Sequence, residues 1–154
     1  MRRCMVTVMG LLLLGATVGT ADEHKPDFSG TWKLDVERSQ LDQTSKGFML
    51  IVEDKGPNIH VKETRGPDLQ EDVSEFTCGT MGADCSMQDG KEKATVSAYY
   101  NGSMLVILKT HGRKGSQVEK QRLSLAPGGD SLTMEVMHIE PEGKPEKLVL
   151  SKVQ

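Results

Sequence analysis

Aromatic residues are scarce in this chain: one Trp, two Tyr and three Phe among 154 residues. A core so short of rings is filled by aliphatic side chains and by methionine, which adapts to irregular gaps. Basic clusters are missing too. Lys and Arg are interspersed with Asp and Glu, and no run is long enough to track a phosphate backbone, which argues against nucleic acid as a partner. After the N-terminal segment, no stretch offers the roughly 20 apolar residues of a membrane-spanning helix. Convincing helical periods are absent there as well, which removes the helical fold classes.

The signatures of catalysis and metal binding are also lacking. There is no G-x-S-x-G elbow. The stretch "PGGDS", Pro127 to Ser131, lacks the lysine of a phosphate loop and sits between two strand-like runs, where a hairpin turn belongs. His24, His60, His111 and His138 share neither the i, i+2 nor the i, i+4 spacing of a ligand pair, so no metal site and no cofactor is expected. Glu71, Asp72 and Glu75 are close in sequence, but acid–base work needs carboxylates in a shared cleft. On a weak strand they read as a solvated face.

What is present begins with the layout of a secretory signal. Arg2 and Arg3 precede a short apolar run, and small residues follow, Gly19 and Ala21 among them. Cys4 lies before that run, not after it, so a lipoprotein attachment site is excluded. We place the cut after Ala21, giving a signal peptide over 1–21 and one domain over 22–154, periplasmic or secreted. Cleavage leaves 17 basic against 22 acidic residues, a formal net charge of −5 in place of −3. Two cysteines remain, Cys78 and Cys85, with six residues between them. An exported chain meets an oxidising compartment, so these two are expected to form a disulfide. Zinc ligands favour tighter spacings, about two to four residues.

From residue 27 onward the chain reads strand, turn, strand. "NIHVKETRG" alternates, with Ile59 and Val61 on one face and His60, Lys62 and Thr64 on the other. Asn101-Gly102 is a two-residue hairpin signal between two strand-like runs. Only "VERSQLDQ", Val36 to Gln43, could carry a short helical turn. Eight to nine strands at close spacing predict an all-β fold, an antiparallel up-and-down barrel in preference to a sandwich. Closing "KLVLSKV" onto "GTWKLDV" would remove the two exposed edges that a meander leaves.

The first strand, "FSGTWKL", resembles the opening of the calycin superfamily, the lipocalins and fatty-acid-binding proteins, through Gly30, Thr31 and Trp32. The resemblance implies that Trp32 packs across the closed end of a barrel with a basic residue over it, here Lys152 or Arg122. The whole chain also resembles exported bacterial lipocalin-like proteins of uncharacterised function, through Asn101-Gly102 with "SMLVILKT", then "LSLAPGGDSLTM" and "EKLVLSKV". Two departures bear on function. The paired helices that cover the mouth of fatty-acid-binding proteins have no counterpart, and no Arg–X–Tyr stands in the last strand to hold a fatty carboxylate. Fatty-acid binding is therefore not carried over.

Barrels of about eight strands either fill their interior or hold one small ligand. Leu34, Leu50, Val61, Val96, Val106, Val136 and Leu150 are expected inside. Tyr100 shares a face with Ala94, Val96 and Ala98, so it is the tyrosine expected in or over a cavity. Met49, Met104, Met134 and Met137 are strand methionines, which suit core gap-filling first and a permissive pocket second. The reading is a non-catalytic binding module for a small apolar or amphipathic molecule, lined by Leu50, Val96, Tyr100, Met104 and Met134. Trp32, Lys152, Cys78 and Cys85 take structural roles. The alternative is a solid barrel that docks onto an envelope protein or polymer.

Overall fold

Alternating apolar and polar residues fold here into ten antiparallel strands. In order they are β1 (Gly30–Leu34), β2 (Phe48–Asp54), β3 (Asn58–Arg65), β4 (Asp72–Gly79), β5 (Met81–Asp89), β6 (Glu92–Asn101), β7 (Met104–His111), β8 (Gln117–Leu125), β9 (Ser131–Glu140) and β10 (Glu146–Lys152). The computed structural model describes residues 25–41, 47–67, 69, 72–112 and 115–154. The signal segment 1–21 lies outside the described residues. Each strand pairs with its sequence neighbours, and β1 closes on β10, with Trp32 opposite Lys152 and Leu34 opposite Leu150. The sheet is therefore a closed up-and-down barrel with no free edge, and the sandwich alternative falls.

The strands among the described residues number ten, not eight to nine. The added strand is β5, "MGADCSMQD", the segment that holds Cys85. Five of its first six residues are exposed, so it carries almost no alternating apolar signal. The ladder between β4 and β5 runs through only three residue pairs, Ser74–Asp89, Glu75–Gln88 and Phe76–Met87. Beyond it β5 bulges between Met81 and Asp84. The Cys78–Cys85 disulfide, with Cα atoms 5.7 Å apart, joins the two strands where their backbone hydrogen bonds give out.

Two local expectations shift. "VERSQLDQ" forms a turn over Val36–Arg38, with the Asp35 carboxylate accepting the Arg38 backbone N–H at 3.2 Å. Gln40 then bridges to Lys147, and Asp42 and Gln43 lie outside the described residues, among which there is no α-helix. In the β6–β7 hairpin the closing pair is Asn101 with Met104, so the turn residues are Gly102 and Ser103. Gly102 takes φ 58°, a positive angle that glycine adopts without the Cβ clash other residues meet.

The connections divide the barrel into two unlike ends. At one end the turns are short, with a single residue, Thr80, between β4 and β5. The segment before β1 crosses this end and closes it. At the other end lie the longer connections, including 35–47 between β1 and β2. The closed half is packed solid. Phe28, Trp32, Leu50, Ile59, Val61, Val96, Leu105, Ile107, Leu123, Leu132, Met134 and Leu150 are fully buried. Each such side chain contributes about 1.5–3 kcal/mol over an exposed one. Val106 is a correction. It is buried, yet it stands between Tyr99 and Arg122 on the outer wall, while its neighbours Leu105 and Ile107 join the core.

Candidate ligand site at the open end

Three inward-facing rows set the character of the interior. On β3 the row is Ile59, Val61, Glu63, Arg65; on β7 it is Leu105, Ile107, Lys109, His111; on β8 it is Leu123, Gln121, Glu119. Each begins apolar near the closed end and turns polar towards the open one. The changes coincide in space. Lys109 Nζ lies 2.6 Å from Glu63 Oε1, both side chains almost wholly buried. Arg65 Nη2 lies 3.7 Å from Glu63 and 4.0 Å from Glu119. The Gln121 side-chain N–H donates to Glu119 Oε1 at 2.7 Å.

Above this layer is a hollow of about 350 Å3, lined by Glu63, Arg65, Lys109, His111 and Glu119, with Met87 and Asp89 on its far side. Two histidine contacts lie at this end of the barrel; His111 lines the hollow, and His138 lines a larger one beside it. His111 Nδ1 sits 2.9 Å from Asp89, and His138 lies 3.8 Å from both Glu119 and Glu146. Desolvation pushes the Glu63 carboxyl upward. The charges of Lys109 and Arg65, with hydrogen bonds from Lys109 and Gln121, outweigh it and hold the carboxyl below the ordinary range. Arg65 is half-buried against the same carboxylates, and their charge overcomes burial to keep it firmly protonated. A larger hollow of about 490 Å3, lined by Arg122, Glu135 and Met137, lies beside β9 on the outer wall.

The five residues expected to line a pocket do not meet there. Leu50, Val96 and Met134 are fully buried, Leu50 and Val96 pairing across the sheet with Glu63 and Lys109, and none of the three lines the hollow. Met104 lies at the closed end, on the side of β7 shared with Val106 and Leu108, away from Leu105 and Ile107. Tyr100 is part of the seal. Its hydroxyl donates to Asp54 Oδ2 at 2.8 Å, and Lys25 lies over its ring at 4.5 Å while pairing with Asp54 Oδ1 at 3.0 Å. Burial first, and the Asp54 carboxylate second, raise the Tyr100 hydroxyl well above its usual value.

Trp32 completes the closed end. Its indole N–H donates to the Phe28 carbonyl at 3.0 Å, and Lys152 Nζ stands 5.2 Å from the ring centroid. Arg122, the other basic residue considered for this place, pairs instead with Glu135 on the outer wall. Of the carboxylates considered for catalysis, Glu75 faces outward 2.9 Å from His60, and Glu71 lies outside the described residues. Among the described residues no group of three or more His, Cys, Asp or Glu is placed to hold a metal ion. None of their helices is long and apolar enough to cross a membrane.

The polar floor was within reach of the sequence. Extending the alternation that set Ile59 and Val61 inward places Glu63 and Arg65 inward as well. The partner of Glu63 was not legible, because Lys109 lies on a strand 46 positions away and only the closed topology brings the two together.

No protein-family model and no curated protein matches this chain. Solved structures do. A secretory abundant heat soluble (SAHS) protein from Ramazzottius varieornatus superposes with a TM-score of 0.63 at 14% identity, over 81% of this chain and 94% of that one. A protein described as the REP1-NXSQ fatty acid transporter gives 0.59 at 10% identity, over 83% of this chain and 97% of that one. Fatty-acid-binding protein 1 of Echinococcus granulosus gives 0.58 at 15% identity, over 82% and 98%. At such identities the likeness is one of fold alone: this chain has the calycin-like β-barrel that those proteins share.

Proposed function

We propose that the protein is a non-catalytic binding module that takes one small amphipathic molecule into the open end of its barrel. The single observation that carries this is the hollow of about 350 Å3 between a packed apolar half and an open polar rim. Met87 offers an apolar surface for a short hydrocarbon segment, and the charged side chains that make up most of the described lining offer polar partners. A wholly apolar ligand reaching deep inside finds no support, because Leu50, Val96 and Met134 already fill that space. Similarity of fold to fatty-acid-binding proteins agrees with a small-molecule role and does not name the ligand.

The division into a signal peptide over 1–21 and a domain over 22–154, and a periplasmic or secreted location, belong to the same proposal. So does kinship with exported bacterial lipocalin-like proteins. They rest on the basic and apolar pattern of the first residues, on the "FSGTWKL" opening and on the Cys78–Cys85 disulfide, which suits an oxidising compartment. A second reading, a solid barrel that docks onto an envelope protein or polymer, draws on the packed half alone.

Native mass spectrometry of the protein purified from its own host tests the choice. A bound small molecule that leaves on collisional activation is expected. Protein recovered at the mass of the bare chain, and unable to take up any added amphiphile, would overturn the binding reading and leave the docking module.

A further inference from the structure

Among the described residues that line the hollow, negative charge is in surplus. Among its described lining residues Glu63, Asp89, Glu92 and Glu119 face only Lys109 and Arg65. The count stays negative even with His111 protonated. The cations are also already engaged. Lys109 is held by Glu63 at 2.6 Å, and Arg65 is shared between Glu63 and Glu119 at 3.7 and 4.0 Å.

The acceptors are not all engaged. Glu119 is nearly buried, with Oε1 receiving the Gln121 N–H. Its other oxygen, Oε2, has His138 no nearer than 3.8 Å. Gln121 is fully buried on the same inward row, and its Oε1 has no hydrogen-bond partner among the described residues. Its N–H group is held by Glu119, which itself lines the hollow. A buried amide oxygen without a donor is costly. Glu119, whose nearest basic groups, His138 and Arg65, stand at 3.8 and 4.0 Å, has room for a closer charge-assisted hydrogen bond. A guest carrying N–H groups and a positive charge satisfies both at once, whereas a guest carboxylate meets the surplus head-on.

Resting on the proposed binding role, we infer that the site selects an organic cation, an amphipathic amine or guanidinium whose charged group sits against Glu119 with an N–H to Gln121 Oε1. The hydrocarbon part then lies against Met87 and the wall of the hollow. Glu119 is the residue that sets charge selectivity, and Gln121 orients it.

Calorimetric titration with three probes of equal chain length, hexylammonium, hexanoate and hexanol, tests this at neutral pH. Hexylammonium is expected to bind at least about tenfold more tightly than hexanoate, with hexanol between them. In Glu119→Gln, a near-isosteric change checked for folding by circular dichroism, that preference is expected to vanish while hexanol binding is kept. Hexanoate or hexanol binding as well as hexylammonium to the wild-type protein would overturn the cation inference and leave the binding role standing. Failure of all three probes to bind would overturn both. The comparison within the wild-type protein needs no variant to fold.

Discussion

Lys109 and Glu63 form an ion pair at 2.6 Å inside the barrel, their side chains 5% and 2% exposed. A pair so deeply withdrawn from water is not a source of net stability by itself, since desolvating two ions offsets most of their attraction. What it does is make each partner indispensable to the other. Lys109→Met is therefore expected to cost about 3–5 kcal/mol, because it strands the Glu63 carboxylate. The double change Lys109→Met with Glu63→Leu is expected to recover most of that loss. Urea denaturation of the three proteins measures both. A single variant within about 1 kcal/mol of wild type would contradict the pairing.

Acid sensitivity follows from the same carboxyl. Glu63 ionises in the folded protein below its ordinary value of 4.5, so the unfolded chain takes up its proton more readily. The associated stability is fully present above that value and is lost as pH falls through the lower, folded-state value. Asp27, Asp35 and Glu53, also depressed, act in the same direction on the surface. Stability is expected to hold from neutrality down to about pH 4.5 and to decline below it. Removing Lys109 is expected to move the onset of that decline upward, as chemical denaturation at a series of pH values would reveal.

Gly30 controls the seal over the indole. It takes φ 145°, and a Cβ there would lie 2.6 Å from the Lys152 Cε. Gly30→Ala thus imposes backbone strain and displaces the Lys152 side chain from Trp32. A loss of about 1–3 kcal/mol is expected. The single Trp reports the damage directly, through a red shift of its emission as water reaches the ring. An unshifted spectrum with unchanged stability would show that Lys152 does not cover Trp32.

Reduction of the Cys78–Cys85 bridge is expected to have a limited effect. The two residues are seven positions apart, so little chain entropy is released, and the stabilisation sits near the low end of the usual range, about 2 kcal/mol. The barrel itself is expected to persist, with hydrogen exchange accelerating over Thr80–Cys85, where the β4–β5 ladder is already interrupted. Global unfolding on reduction would assign the bridge a larger role.

Legibility in the sequence followed the strength of alternation. Trp32, Leu50, Val61 and Leu150 all stand where period-two reasoning puts them, and the terminal strands meet as the need to hide edges demands. β5 escaped because its outward and inward residues are both polar or small from Gly82 to Ser86, and Met81 before them is exposed. Val106 misled because the outer wall between Tyr99 and Arg122 is itself close-packed, so an apolar run on β7 has two buried faces. Tyr100 was placed on the correct side of its strand and at the wrong height. Facing is a local property of the chain. Height relative to a cavity depends on which end is plugged, and that is set by Lys25 and Phe28 folding back across Asp54 and Tyr100.

The seal has a practical corollary. The segment at Lys25, tied to Asp54 and to the Gly56 carbonyl, and the last strand ending at Lys152 both depart from the plugged pole. The hollow opens at the opposite pole. A fluorophore attached at Val153, just past the end of β10, would therefore sit a barrel's length from the hollow and leave its mouth unobstructed.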